Sequence, residues 1–472
     1  MVFTSQIFLF YFLPLVLALY HALPRRGRNL FLTLASYVFY GWWSPWFTTL
    51  MLASTVIDWY CGIAITREGA TERARRTGVL VSIAANLSLL GFFKYFTFAQ
   101  ENLNRLLEQF GSEATPLLRI VLPVGFSFYS FQSMSYSVDL YRGEATRAKR
   151  FVDFACYVSM FPQLVAGPIV RYREIYAQLA ERPERGAPFR RGALGFMVGF
   201  AKKVLLANTL GEVADVAFGA AAPGAGVAWL GVCAYAFQIY FDFSGYSDMA
   251  IGLGHMFGFT LPINFRSPYR ADGITDFWRR WHVSLSSWLR DYLYIPLGGN
   301  RGGVRLTYRN LMLTMVLGGL WHGAQWTFIV WGTWHGLLLA LERLGGKRPW
   351  WGRLPRGPRV ALTFVLVLIS WVPFRATDMG AAWSYLGAMF GAGGSAETAA
   401  AAAVLAGRVL EPFYLFAFAV AAAVVWLGRE THEIVDRGLE RPLLACGVFA
   451  VFLLSVVAMF SQAENPFLYF QF

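Results

Sequence analysis

The sequence predicts an all-α polytopic membrane protein, and three observations predict it. Of the 472 residues, 56% are hydrophobic and 15% charged, with a mean hydropathy of +0.45, whereas soluble proteins carry about 25% charged residues. Apolar runs approaching the ~20 residues that a bilayer-crossing helix needs recur from end to end. Basic residues gather in the connections between these runs, as on the cytoplasmic side of membrane proteins. A soluble globular chain is excluded, and a β-barrel would show short alternating segments instead.

Charge and cysteine usage narrow the class further. The net charge of +13 reads as a topology signal, not as a nucleic-acid surface, so no nucleic-acid partner is expected. Cys61, Cys156, Cys233 and Cys446 lie far apart with no C-x-x-C pair, which points to neither a disulfide framework nor a cysteine metal site. No P-loop, G-x-S-x-G or H-E-x-x-H motif occurs.

The elements follow in order. A first helix over about Val2–Leu23 has no basic residue ahead of it and no clear cleavage site, so it reads as a transmembrane helix and not a removed signal peptide. Its basic flank PRRGR places the N-terminus outside. Helices near Leu30–Tyr40 and Phe47–Thr66 lead to REGATERARR, inside. A helix near Val79–Phe98 leads to the net acidic AQENLNRLLEQFGSEAT, outside, and Pro116–Leu140 returns to the basic YRGEATRAKR.

Phe151–Val170 is apolar but basic on both flanks, and it contains Pro162 and Gly167–Pro168. It reads either as a re-entrant segment or as two interfacial helices joined by a turn. Gly192–Leu210 carries Lys202 and Lys203, and Trp229–Gly254 carries FDFSGYSDMAIG. Leu311–Leu341 has basic flanks and must cross twice or turn back midway, with WHGAQW as the natural bend. Helices near Val360–Arg375, Phe413–Leu427 and Leu443–Gln462 complete about eleven or twelve crossings with both termini outside. The alanine-rich residues 399–406 read as spacer or helix. No polar segment is long enough to fold alone, so a single integral-membrane domain over residues 1–472 is expected.

The stretch Phe277–Arg301, FWRRWHVSLSSWLRDYLYIPLGGNR, is the most polar part of this apolar chain. At about 100° per residue, Ile274, Phe277, Trp278, Trp281, Leu285, Trp288, Leu289 and Tyr292 share one stripe. A continuous amphipathic basic helix ending near Ile295 is therefore predicted, with His282 at the stripe's edge. It fits an interfacial helix whose arginines meet lipid phosphates. It equally fits a basic mouth for an anionic small molecule, since eight arginines and three aspartates lie between Arg266 and Arg309, and LGGNRGG could offer backbone N–H groups to phosphate.

His322, in GGLWHGAQW, is an ionisable residue in apolar surroundings. It reads as a general base or as a histidine satisfied by a neighbouring helix. His335 reads as structural. Asp242 and Asp248 are six residues apart and do not form a carboxylate pair; ion pairing with basic segments is expected instead.

Five stretches resemble the membrane-bound O-acyltransferase (MBOAT) family, and within it the AlgI-like alginate O-acetyltransferase subfamily. They are LPVGFSFYSFQSMSYSVDLYRG from Leu122, FPQLVAGPIVRYRE from Phe161, FQIYFDFSGYSDMAIGLGHMFGF from Phe237, the Phe277–Arg301 stretch, and GGLWHGAQWTFIVWGTWHG from Gly318; the ending NPFLYFQF is similar too. The resemblance implies the MBOAT fold with His322, of the GLWHG motif, as the catalytic histidine. It implies a functional role for His282, of the RWHxS motif, which stands where the wider superfamily has an asparagine. Base, hydrogen-bond donor and donor positioning all remain open for it.

The resemblance further implies acetyl-CoA as acyl donor, with its phosphates at the basic stretch (Arg279, Arg280, Arg290, Asn300 and Arg301) and no metal. Acetyl would cross the bacterial inner membrane without CoA, and a periplasmic SGNH-hydrolase-like partner would complete its transfer to an exopolysaccharide, alginate first. Peptidoglycan, cellulose and teichoic acid are alternative acceptors. A transporter or flippase is the alternative of another class: Lys202, Lys203, Asp242 and the broken segments favour it, and the absence of an internal repeat opposes it.

Overall fold

A computed structural model of the chain describes residues 1–182, 186–221, 223–346, 350–392, 407–462 and 467–468; residues 399–406 and most of the NPFLYFQF ending lie outside them. The described backbone is helical, without a β-strand. In chain order the helices are α1 (Leu13–Ala22), α2 (Arg25–Gly41), α3 (Pro45–Thr66), α4 (Glu72–Leu90), α5 (Phe96–Gln109), α6 (Phe126–Arg142), α7 (Phe151–Ser159), α8 (Phe161–Leu164), α9 (Tyr172–Ala180), α10 (Ala187–Ala201) and α11 (Asn208–Phe218). There follow α12 (Ala225–Met256), α13 (Ile274–Arg280), α14 (Val283–Leu289), α15 (Val304–His322), α16 (Trp326–Leu344), α17 (Arg356–Arg375), α18 (Met379–Met389), α19 (Pro412–Trp426), α20 (Thr431–Glu440) and α21 (Pro442–Ser461).

By length and composition, six helical stretches among the described residues can cross a membrane: Pro45–Thr66, Glu72–Gln109, Ala187–Phe218, Ala225–Met256, Arg356–Arg375 and Pro442–Ser461. A seventh results if α19 and α20, bent by 82° to one another, count as one span. The apolar run Pro116–Leu140 becomes a shorter helix, α6 with 17 residues, whereas Leu30–Tyr40 extends into the 17 residues of α2.

Two compact units organise the chain. The first comprises Met1–Ala193 with Ala250–Pro262. Its middle is α6, buried along most of its length despite its serines and Asp139. The small hydroxyls allow close packing and bond back along the helix, as Ser130 Oγ does to Phe126 O at 2.8 Å. Between α3 and α4, buried Asp58 accepts hydrogen bonds from Ser82 at 2.6 Å and Asn86 at 3.0 Å.

The Phe151–Val170 segment is broken at Met160, between α7 and α8, and is buried from Asp153 to Val170. Side chains supply what the break removes. The Phe161 N–H donates to Ser36 Oγ at 3.0 Å, Gln163 Nε2 to Tyr157 O at 2.8 Å, and Tyr157 OH to Val170 O at 2.9 Å. Broken backbone persists in an apolar setting only where protein satisfies it in this way.

The second unit comprises Leu194–Met249 with Ile263–Phe472. Here the expectation of one continuous helix over the arginine stretch is corrected. The helix breaks after α13: Trp281 is extended and His282 takes the left-handed conformation, φ 43°. The freed backbone groups pair with the segment before α13, Arg266 N–H donating to Arg280 O at 3.0 Å and Val283 N–H to Asn264 O at 2.9 Å. Of the apolar stripe, Ile274, Phe277, Trp281, Leu285, Trp288 and Leu289 are nonetheless buried, while Trp278 and Tyr292 are partly exposed.

The result is a helical hairpin with His282 at its tip. Its first arm runs antiparallel to α16, with Thr275 at Glu342, Phe277 at His335 and Trp278 at Trp331. Its second arm runs antiparallel to α15, with His282 near Trp321, Leu289 at Gly318 and Leu297 at Asn310. Both arms are therefore rooted where α15 begins and α16 ends.

Candidate active site

α15 ends at His322, Gly323 is extended (φ −164°), and α16 starts at Trp326, so the bend falls at WHGAQW. His322 is buried, at 5% exposure. Three aromatic rings stand edge-on to its imidazole, those of Trp321, Trp331 and Phe374, each with centroids 5.1 Å away. Trp331 in turn lies 5.1 Å from Phe374 and 6.1 Å from Trp371. Trp371 is held by its indole N–H, which donates to Tyr269 OH at 3.2 Å. This apolar casing fixes the ring and keeps water scarce around it.

His282 is fully buried. Its ring lies 4.6 Å edge-on from Phe243 and 6.1 Å from Trp321, so one tryptophan neighbours both histidines. Its Nδ1 is 3.0 Å from Asn264 Oδ1. Asn264, in a segment with no helical period and no motif, was not singled out from the sequence.

A pocket of about 120 Å³ reaches His322. Its walls come from the hairpin (Trp278, Leu285, Ser286, Leu289), from α15 (Thr314, Met315, Gly318) and from α16 (Trp331, Leu339). The lining is mostly apolar and contains no lysine or arginine to meet phosphates.

The five residues expected at the donor phosphates lie outside that lining. Arg279, Asn300 and Arg301 are exposed. Arg280 pairs with Asp276 at 2.8 Å, and Arg290 with Asp291 at 2.7 Å. The LGGNRGG turn is less open to an anion than expected. The N–H groups of Gly298, Gly299 and Arg301 already donate to Ile295, Tyr294 and Gly298 carbonyls, a tight turn made possible by positive φ at Gly298 and Gly299. Asn310, not Asn300, holds it from below, donating to Leu297 O and Gly299 O.

His335 is buried and stacked on Phe277 (6.0 Å, 8°), and it shares Trp331 with His322. Its Nε2 lies 3.1 Å from the Ser370 hydroxyl, which also reaches Val367 O at 2.6 Å. Asp242 and Asp248 take the expected ion pairs, with Lys203 at 2.5 Å and Lys202 at 2.7 Å. The two intramembrane lysines are thus neutralised locally. Among the described residues no three His, Cys, Asp or Glu side chains are grouped to hold a metal ion.

The family model described as MBOAT, membrane-bound O-acyltransferase family, matches residues 144–347, from before α7 to the end of α16 and through both site histidines. Full-length similarity agrees with it. The chain is 42% identical to a probable alginate O-acetylase AlgI of Azotobacter vinelandii, covering 100% of both chains. The chain belongs to the MBOAT family. It is also 48% identical to a probable alginate O-acetylase AlgI of Pseudomonas aeruginosa, over 83% of this chain and 75% of that one. A Helicobacter pylori peptidoglycan O-acetyltransferase is 36% identical over 84% and 80%. This MBOAT protein is a multi-pass membrane O-acyltransferase of all-α fold, lying in a lipid bilayer.

Proposed function

We propose that the protein takes acetyl from cytoplasmic acetyl-CoA and passes it across the bacterial inner membrane for O-acetylation of an exopolysaccharide, alginate above the alternatives. The observation that carries this reading is the pocket from the hairpin to His322. It is small and mostly apolar, which suits a thioester-borne acetyl group and not the nucleotide end of CoA; that end stays outside, with Arg301 at the hairpin root and Arg279 nearer the tip as its candidate partners. Both roots of the hairpin lie in arginine-rich chain, which by the positive-inside bias supports a cytoplasmic donor side, and the basic connections along the chain support periplasmic termini.

In this mechanism the acceptor hydroxyl attacks the thioester carbonyl carbon; the C–O bond forms and the C–S bond breaks. His322 accepts the hydroxyl proton and returns it to the departing CoA thiolate. Such general-base work contributes about 10²–10⁴-fold. His282 orients the reacting groups from the hairpin tip. A periplasmic SGNH-hydrolase-like partner then delivers acetyl to the polymer. The names of the alginate relatives support this acceptor, and the peptidoglycan relative marks the alternative.

Cells of an alginate-producing host lacking its own enzyme test the reading. The wild-type chain restores polymer acetyl groups, and His322→Ala, present in the membrane at equal level, does not. Acetylated peptidoglycan with unacetylated alginate would replace the acceptor and leave the chemistry intact.

A further inference from the structure

Asn264 lies on the extended segment after α12 and is buried to 1% exposure. Three groups converge on its Oδ1: the Ser284 N–H at 3.3 Å, the Ser284 hydroxyl at 2.9 Å and His282 Nδ1 at 3.0 Å. Its Nδ2 donates to Ser247 Oγ at 3.1 Å. A backbone N–H can only donate, so the atom facing Ser284 is the amide oxygen, and the side chain has a single orientation. An amide oxygen can only accept, so the His282 nitrogen facing it carries a proton. A neutral imidazole has one N–H, which leaves the lone pair on Nε2.

We infer that Asn264 is a positioning residue that holds His282 as the Nδ1–H tautomer and thereby makes Nε2 the atom through which His282 can accept. The functional half of this inference rests on the role proposed above for His282. The same asparagine also sets where the ring stands. Its backbone oxygen receives Val283 N–H and its side chain receives Ser284 N–H, so it caps α14 from another segment. A non-glycine residue with φ 43° persists only when its surroundings over-determine it, and Asn264 supplies that constraint immediately after His282.

The test is the ¹⁵N spectrum of histidine-labelled full-length protein in liposomes, with the His282 signals found by difference from His282→Gln. The expected result is a protonated Nδ1 and an unprotonated Nε2 in the wild type. In Asn264→Ala the tautomers mix or reverse, and acetyl transfer falls about 10²-fold. Asn264→Asp keeps an acceptor oxygen, so it retains the Nδ1–H signal and transfers faster than Asn264→Ala. A role confined to capping would leave the spectrum of Asn264→Ala unchanged. That outcome, or Nε2–H in the wild type, would overturn the inference. Wild-type transfer by His282→Gln would overturn the proposed role of His282 instead, and the spectra, which do not depend on turnover, tell the two failures apart.

Discussion

Gly319 of α15 and Gly332 of α16 face each other so closely that neither position has room for a Cβ. One on Gly319 would stand 2.3 Å from Phe328 O, and one on Gly332 would stand 2.4 Å from Met315 O. The obstacle in each case is backbone, which does not yield like a side-chain tip. The pair therefore sets the distance between the two helices, and with it the seat of Trp331 against His322. Overpacking costs about 1–3 kcal/mol, so Gly332→Ala lowers the thermal midpoint in detergent and reduces transfer. Gly346→Ala, with no atom near its Cβ but φ +70°, strains a turn away from the site, and it should leave the rate of the folded fraction unchanged. Equal rate losses in the folded fraction of both variants would contradict this account of the interface.

The root of the hairpin gives a second prediction. Glu342 accepts both the N–H and the hydroxyl of Thr275 at 2.7 Å, placing a carboxylate at the N-terminus of α13. That arrangement is worth about 0.3–1 kcal/mol. Glu342→Gln should cost little, and Glu342→Ala more, with transfer falling together with stability. A fully active Glu342→Ala with unchanged melting would show that the hairpin holds its place without this contact.

The buried Lys203–Asp242 pair supplies a third. Asp242 also accepts the Leu468 N–H at 2.8 Å, and both side chains are almost fully enclosed, at 6% and 2% exposure. Removing one partner strands a buried charge and costs about 3–5 kcal/mol. Lys203→Met should accumulate poorly in membranes, and Lys203→Met with Asp242→Asn should recover most of the loss and retain transfer. An active single variant together with an inactive double variant would give the carboxylate a functional role.

Among the basic residues, Arg279 and Arg290 are both exposed, and Arg290 already faces Asp291. Arg279→Gln should raise the KM for acetyl-CoA more than Arg290→Gln does, by about fivefold for a contact worth roughly 1 kcal/mol. The KM of the acceptor should not change. Donor kinetics equal to wild type in the double variant would return these arginines to lipid anchoring.

Much of this was legible in the sequence. Apolar runs disclosed the helices, WHGAQW and the flanking charges disclosed the α15–α16 turn, and six of the eight residues on the stripe from Ile274 to Tyr292 are buried, Trp278 and Tyr292 being partly exposed. The break at Trp281–His282 was not legible. It contains neither glycine nor proline, and a helical wheel assigns the same face to a straight helix and to two arms folded at a point. What makes the break affordable is the pairing of Asn264 and Arg266 with residues near the tip, a tertiary effect invisible to local periodicity. Asn264 itself was illegible for the same reason. The partners of Lys202 and Lys203 were foreseen only as basic segments meeting Asp242 and Asp248, because helix spacing says which face a residue takes and not what lies opposite.

Release of CoA from acetyl-CoA by purified protein in liposomes, with acceptor present, tests the central claim most directly. The account predicts that His322→Ala, folded and melting like the wild type, releases CoA at least about 10²-fold more slowly. Release at the wild-type rate would contradict the assignment of His322 as the base of acyl transfer.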